Sequence, residues 1–163
     1  MSSTFEGILM IQATLCFIFR DNPHPQILLG YKKRGFGQGK YDGFGGKVQE
    51  GEDISLAALR ELHEETGLSA DLSDLTSLGV LTFIFPCKHV WDQAVHVFIA
   101  EKWLGTPAES EEMRPHWFPL NRVPLDRMWD DTHLWLPYIL SRQMIQVTFI
   151  MEGDNETVKE YTI

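Results

Sequence analysis

Between Gly46 and Leu68 the chain gathers Glu52, Glu61, Glu64 and Glu65 around a single arginine, Arg60. Carboxylates this dense hold a hard divalent cation, activate water, or coat a solvated helix face and do neither. At about 100° per residue, Glu61, Glu64 and Glu65 fall within an arc of roughly 100°, and Leu59 and Leu62 in the neighbouring arc, with Ile54 two turns before the acids, are the apolar residues that should face a sheet. Like charges at i, i+3 and i, i+4 repel by a few tenths of a kcal/mol per pair in water, more where partly buried, and a cation removes that repulsion. Hard oxygens in a tight cluster suit Mg²⁺, which keeps several waters and is shared with substrate phosphates. Arg60 can pair with Glu64 one turn on or reach back to Glu52, fixing the acids in one rotamer. Ala57 and Ala58 beside the acids are expected to leave room for a ligand.

Something must present that cluster. Asp53 can cap a helix over 53–66, and Gly67 can end it in the left-handed conformation. Ahead of it, the glycine-dense "RGFGQGKYDGFGG" reads as a shaped loop whose backbone lies close to a neighbour. Residues 8–20 and "QILLGYKK" read as two strands joined by "DNPHP" into a hairpin. "LTSLGVLTFIFP", "QAVHVFIAEKWLG" and the short "HWFPL" are further strands, with "TPAESEEMRP" as a polar loop before the last. A second helix fits "DDTHLWLPYILSRQM", capped by Asp130, Asp131 or Thr132, with Pro137 in its first turn or at a kink. The tail from Ile145 reads as a closing hairpin around "EGDNE". The pattern is an α/β (α+β) chain, and no repeat, linker or low-complexity tract divides residues 1–163, so one domain is expected.

Composition limits the function classes. The 163 residues are 44% apolar, enough for a substantial core without disulfides. Cys16 and Cys87 lack metal-site spacing and are expected as buried, reduced thiols. With 23 acidic against 14 basic residues the formal charge is −9, which argues against a nucleic-acid footprint. The apolar run near the N-terminus lacks a basic leader and is too closely bounded by Gln12 and Arg20 to span a bilayer, so a cytoplasmic protein without membrane association is expected. A monomer is the default expectation. His63 is placed on the solvent side of the first helix, His89 in a loop, and His96 as a hydrogen-bonded core residue.

The spacing of the charged segment goes further. Gly46, five residues, Glu52, seven residues, Arg60-Glu61-Leu62, one residue, Glu64-Glu65, one residue and Gly67-Leu68 fill every defined position of GX5EX7REUXEEXGU. This resembles the signature of the Nudix hydrolase family. "GYKKRGFGQGKYDGFGGKVQEGE", "VHVF", "GTPAESEEMRP", "MWDD" and the final "YTI" extend the likeness over nearly the whole chain, toward the mammalian MutT-homologue subfamily of 8-oxo-dGTP diphosphatases. The resemblance implies a mixed sheet sandwiched between helices. It implies Mg²⁺-dependent attack of water on the polyphosphate of oxidised purine nucleoside triphosphates, with Mn²⁺ as an alternative ion, giving a monophosphate and pyrophosphate. It also implies metal ligation by Glu61, Glu64 and Glu65 with the Gly46 carbonyl, and by Glu112 of "SEEMRP". The general base stays open among Glu61, Glu65 and Glu112, and Glu52 is assigned to bracing the loop.

By the same resemblance Thr14, Lys32, Phe36, Asp42, Phe83, Met113, Trp129 and Asp131 line the base pocket, with Trp129 stacked on one purine face and Phe or Met residues opposite. Lys32 is expected to touch a phosphate or the base edge. The chain departs from the subfamily at two places, carrying Asp42 where an asparagine stands and Thr132 where a second aspartate stands. An ionised Asp42 only accepts hydrogen bonds, so it should favour a 6-amino purine such as 2-hydroxyadenine and resist the O6 of 8-oxoguanine unless protonated. The rival readings are a Nudix diphosphatase for dinucleoside polyphosphates, ADP-ribose or other triphosphates, and a non-catalytic nucleotide-binding module, although no acid of the signature is missing.

Overall fold

The structure, a computed structural model, describes residues 3–5 and 8–163. The reading of the leader lies partly on Met1, Ser2, Glu6 and Gly7, outside the described residues. Alternating apolar residues in the strands explain the layering. In β2 (Ile8–Arg20), Phe17 and Phe19 point to one face of the sheet and Cys16 and Ile18 to the other. The same two-residue period divides β3 (Gln26–Lys32) and β6 (Gln93–Ala100). Both faces therefore need a cover. Helix α1 (Ile54–Thr66) covers one with Ala58 and Leu62, and α2 (Thr132–Leu140) covers the other with Trp135, Leu136 and Ile139. This is the expected mixed sheet between helices.

The sheet runs in the order β4-β3-β2-β6-β5-β8-β9, with β1 (Ser3–Phe5) beside β2 and β7 (Met113–Pro119) beside β3. Here β4 is Tyr41–Asp42, β5 Leu75–Ile84, β8 Ile145–Met151 and β9 Val158–Thr162. β2 and β3 form the expected antiparallel hairpin, but only Ile18–Arg20 pairs with β3. The rest of that β2 edge is taken by the glycine loop: Phe44 exchanges backbone bonds with Cys16, Thr14 N–H donates to Gly46 O at 2.9 Å, and Val48 N–H donates to Gln12 O at 2.9 Å. A side chain at Gly45 would collide with the Thr14 carbonyl. The loop is thus bound to the sheet where strand pairing stops, one step before α1.

Several expectations are corrected. Tyr41–Asp42 is a short strand inside the glycine loop, because Gly30 and Tyr31 of β3 offer it a partner. Met113–Pro115 belongs to β7 and not to the polar loop, pairing with Gly30–Lys32, so Met113 packs over Gly30. α2 stops at Leu140, Pro137 lies in its second turn, and no side chain caps its start. The Asp131 carboxylate accepts instead from Trp135 Nε1 at 2.6 Å, and Asp130 accepts from Val158 N–H at 3.1 Å. Ala57 and Ala58 are fully buried, and Ala58 belongs to the core cluster under α1, so their small size lets the helix approach the sheet and leaves no ligand space. Leu59 is only half-buried, and Glu65 takes its place on the inward face. Cys16 is buried as expected, but Cys87 is exposed, in the turn after β5.

Candidate active site

The helix that carries the acids is built as the sequence dictates. The Asp53 carboxylate accepts from Ser55 N–H at 2.9 Å and Leu56 N–H at 3.2 Å, and Gly67 closes the helix at φ 77°. Arg60 then makes both of its expected contacts. Its Nε and Nη2 grip Glu52 at 2.8 and 2.9 Å, Nη1 reaches Glu61 at 2.9 Å and Glu64 at 3.3 Å, and Nη2 also donates to Lys47 O at 3.2 Å. Glu52 in turn accepts from Gln49 N–H at 3.0 Å. The Arg60 hydrogen bonds are the main reason its carboxyl is held at about 2. The loop is thereby clamped to the helix through one guanidinium.

The inner acids are held differently. Glu65 is buried, its Oε1 accepting Gly45 N–H at 2.8 Å. Burial pushes its carboxyl up to about 8 against that hydrogen bond, and repulsion from Glu61 and Glu112 adds to the rise. Glu61 is raised for the same leading reason, opposed by Arg60. The Glu61 carboxylate lies so close to Gly46 that a side chain there would meet Oε1 at 2.5 Å. The Gly46 carbonyl accepts the Thr14 N–H at 2.9 Å and the Thr14 hydroxyl at 3.5 Å. Glu112 stands across from this group on the loop before β7, half-exposed, with Lys32 Nζ 3.4 Å from its carboxylate.

These oxygens suit a hard divalent cation. With Glu61 turned to Arg60 and Glu65 to Gly45, no three His, Cys, Asp or Glu side chains among the described residues form a ready cage. Mg²⁺ asks for one or two carboxylates, waters and substrate phosphates, and such a partial donor set supplies that much. Repulsion from neighbouring carboxylates, which adds to the burial-driven rise of Glu61 and Glu65, is what a divalent cation would relieve.

Beside the acids opens a cavity of about 260 Å³ that runs from Glu65 and Gly46 to the far side of the sheet. Every residue expected in the base pocket lines it: Thr14, Lys32, Phe36, Asp42, Phe83, Met113, Trp129 and Asp131. They come from β2, β3, the glycine loop, β4, β5, β7 and the segment before α2, so only the tertiary fold joins them. Asp42 is half-buried, with Oδ1 accepting its neighbour Gly43 N–H at 2.8 Å. Burial pushes Asp42 to about 7, with repulsion from Asp131 adding and Lys32 opposing. Burial also raises Asp131, against its bond from Trp135.

One pocket expectation needs correction. Phe36 is stacked on Trp129, 4.9 Å between centroids at 27°, and no purine fits between rings that close. The two form one wall, and Phe83 and Met113 are left to face the other side of a base. Sequence reasoning missed Trp91, whose ring meets Phe36 at 5.5 Å and Phe85 at 5.9 Å. It also missed Phe85, Gln93 and Asn155, all of which line the cavity. Asn155 sits in "EGDNE", whose composition signals only a turn. The three histidines considered stay outside this chemistry: His63 is exposed as expected, His89 begins a 3₁₀ turn and not a plain loop and pairs with Asp92 at 2.9 Å, and His96 is half-buried on β6 and not in the core, hydrogen-bonding Gln12 at 2.8 Å.

The sheet between two helices and the clamped loop-helix define a NUDIX domain, whose family profile matches residues 10–139; the chain belongs to that family. It is 46% identical over 82% of its length to the oxidized purine nucleoside triphosphate hydrolase of Danio rerio, covering 84% of that protein. It is 45% identical over 85% of its length to the protein of the same name from Mus musculus, covering 86% of it. Among solved structures, the MutT protein of Bacillus halodurans superposes with a TM-score of 0.78 at 25% identity, over 94% of this chain and 97% of that one.

Proposed function

We propose that this chain hydrolyses oxidised purine nucleoside triphosphates, with 8-oxo-dGTP as a substrate and 2-hydroxy-dATP as a second, to the monophosphate and pyrophosphate, so clearing them from the nucleotide pool. The observation that carries this is the continuity of one cavity: Glu65 and Gly46 line the same space as Trp129, Asp42 and Asp131. A single bound nucleotide can then place its phosphates at the acids and its base among the aromatics. The names of the Danio rerio and Mus musculus relatives support the substrate class.

Glu61, Glu64, Glu65, Glu112 and the Gly46 carbonyl are the groups that would hold Mg²⁺, or Mn²⁺ in its place. The ion supplies neutralisation of phosphate charge and acidification of a bound water. The protein's own residues do the rest. Arg60 and Glu52 fix the helix against the glycine loop, so the acids meet the phosphates in one geometry. Lys32, between Glu112 and the cavity, offers its ammonium to a phosphate and lessens the acidic field there. One of Glu61, Glu65 and Glu112 takes the proton of the attacking water. The bond between the α- and β-phosphates breaks, and pyrophosphate leaves.

At the base end, Asp42 decides which purine edge fits. Protonated, it donates to O6 of 8-oxoguanine; ionised, it accepts from a 6-amino group. Because it titrates near 7, both oxidised bases are accommodated around neutrality. We place the whole chain, residues 1–163, in one domain acting as a cytoplasmic monomer on a small nucleotide without nucleic-acid or membrane partners. No described helix is long and apolar enough to cross a membrane.

The test is a panel of 8-oxo-dGTP, 2-hydroxy-dATP, dGTP, a dinucleoside tetraphosphate and ADP-ribose, with and without Mg²⁺, products separated by chromatography. Metal-dependent release of pyrophosphate, fastest from the oxidised triphosphates, is expected. A preference for ADP-ribose or the dinucleoside would favour the broader diphosphatase, and tight binding without turnover a non-catalytic module.

A further inference from the structure

One polar group in the cavity is left over when the contacts above are counted. Among the described residues, Asn155 Oδ1 is the one buried side-chain nitrogen or oxygen without a hydrogen-bond partner in the protein. Asn155 lines the cavity together with Trp129, Asp131 and Thr132. Buried carbonyls are almost always satisfied, because an unmet acceptor keeps its full desolvation penalty.

The turn that carries Asn155 is built to hold it there. Its backbone sits in the left-handed region at φ 59°, which asparagine tolerates better than most residues. Its N–H donates to Glu152 O at 2.9 Å, and Glu152 N–H donates to Thr157 O at 2.8 Å. The Asp154 carboxylate accepts from Glu156 N–H, Thr157 N–H and Thr157 Oγ1 at 2.9, 2.8 and 2.6 Å. Past the turn, Val158 N–H reaches Asp130, tying β9 to the segment that presents Trp129 and Asp131. Every backbone and side-chain bond here positions Asn155, and its own oxygen is the group they leave unspent.

We infer that Asn155 is a specificity-determining residue whose side-chain carbonyl accepts a hydrogen bond from an N–H of the purine. The inference rests on the nucleotide reading of this cavity. Asn155 differs in kind from Asp42 and Asp131, the two aspartates of the cavity. They change from donor to acceptor as they ionise, whereas the amide carbonyl accepts at every pH. Oxidation at C8 converts N7 of guanine from an acceptor into an N–H donor, so an acceptor fixed in the pocket has a partner to find that the undamaged base lacks at that edge. The N1–H and 2-amino groups of guanine are the donors common to both bases.

The test replaces Asn155 by glycine, which fits the left-handed backbone, and measures KM and kcat for 8-oxo-dGTP and dGTP alongside the Tm of the free protein. KM for 8-oxo-dGTP is expected to rise about tenfold, the effect of one lost hydrogen bond to an otherwise unpaired group, with kcat within about twofold. The Tm should hold or rise, because the variant deletes an unsatisfied buried oxygen. A larger loss for 8-oxo-dGTP than for dGTP assigns the contact to N7–H, and an equal loss to the shared donors. Asn155→Asp, which keeps an oxygen acceptor and the left-handed preference, should fall between. A lowered Tm with unchanged KM would make Asn155 a structural turn residue and overturn the inference. Wild-type protein that fails to turn over 8-oxo-dGTP would instead refute the functional reading beneath it.

Discussion

The acid helix and the base cavity solve opposite problems with similar residues. At the acid end, Arg60 meets Glu52, Glu61 and Glu64, and its hydrogen bonds hold the Glu52 carboxyl well below its ordinary value. At the base end, the half-buried Asp42 and the buried Asp131 have no arginine beside them, and burial pushes both toward the neutral form. The first arrangement suits a constant, highly charged partner such as a metal triphosphate. The second suits a neutral base whose donors and acceptors differ from one oxidised nucleotide to another. Glu65 joins the two: it stands on the acid helix, yet it is buried and raised like the pocket aspartates.

That contrast can be broken at several points. Glu61→Gln or Glu65→Gln should reduce kcat for 8-oxo-dGTP by about 10²–10⁴-fold, the range for losing a proton-transfer group or metal ligand, while the Tm of the metal-free protein stays the same or rises. Chelation of divalent metal should have an effect at least as large. Next, Arg60→Lys should lower activity by about 10–100-fold, because a single ammonium cannot reproduce the two-pronged grip on Glu52 that orients the acids. Metal titration would show the loss as weaker apparent affinity. Trp129→Ala should raise KM roughly tenfold and leave kcat nearly unchanged, since stacking contributes on the order of 1–3 kcal/mol per base.

Asp42→Asn sharpens the comparison through pH. The folded carboxyl titrates at about 7, above its ordinary value, so its contribution to stability is complete at low pH and is lost as pH rises through 7. The asparagine variant lacks this loss, and its Tm should exceed that of the wild type by a margin that grows between about pH 4 and 8. Over the same range the wild-type kcat/KM ratio of 8-oxo-dGTP to 2-hydroxy-dATP should fall, and the variant should flatten it. Indistinguishable profiles would remove Asp42 from base selection. The smallest effect is expected from Lys33→Ala: its bridge to Glu109, although 2.7 Å long, is solvent-exposed, and the Tm should barely move.

What could be read from the sequence follows the same division. The acid helix depends on spacing within one turn-by-turn element, so Asp53, Arg60, Glu61 and Gly67 disclose its cap, clamp, charged face and end without reference to the rest of the chain. The strand order needed more, because the parallel pairs β2–β6 and β5–β8 join segments far apart in sequence. The pocket residues were legible only through joint resemblance across many motifs, and their mutual geometry was not. Nothing local shows that Phe36 stacks on Trp129, that Asp131 spends its carboxylate on Trp135, or that Ala57 and Ala58 face the sheet. Asn155 was hidden for a related reason: a turn composition says where the chain bends, and only the fold shows that the bend brings an asparagine with an unpartnered oxygen to the cavity wall.

The account's central claim is that one ligand spans both ends of the cavity. It is tested most directly by product analysis of 8-oxo-dGTP turnover with Mg²⁺, comparing the wild type, Glu65→Gln and Trp129→Ala in one assay. Monophosphate and pyrophosphate are expected from the wild type, kcat should collapse in the glutamine variant, and KM alone should rise in the alanine variant. Turnover by Glu65→Gln at the wild-type rate, or release of orthophosphate in place of pyrophosphate, would contradict it.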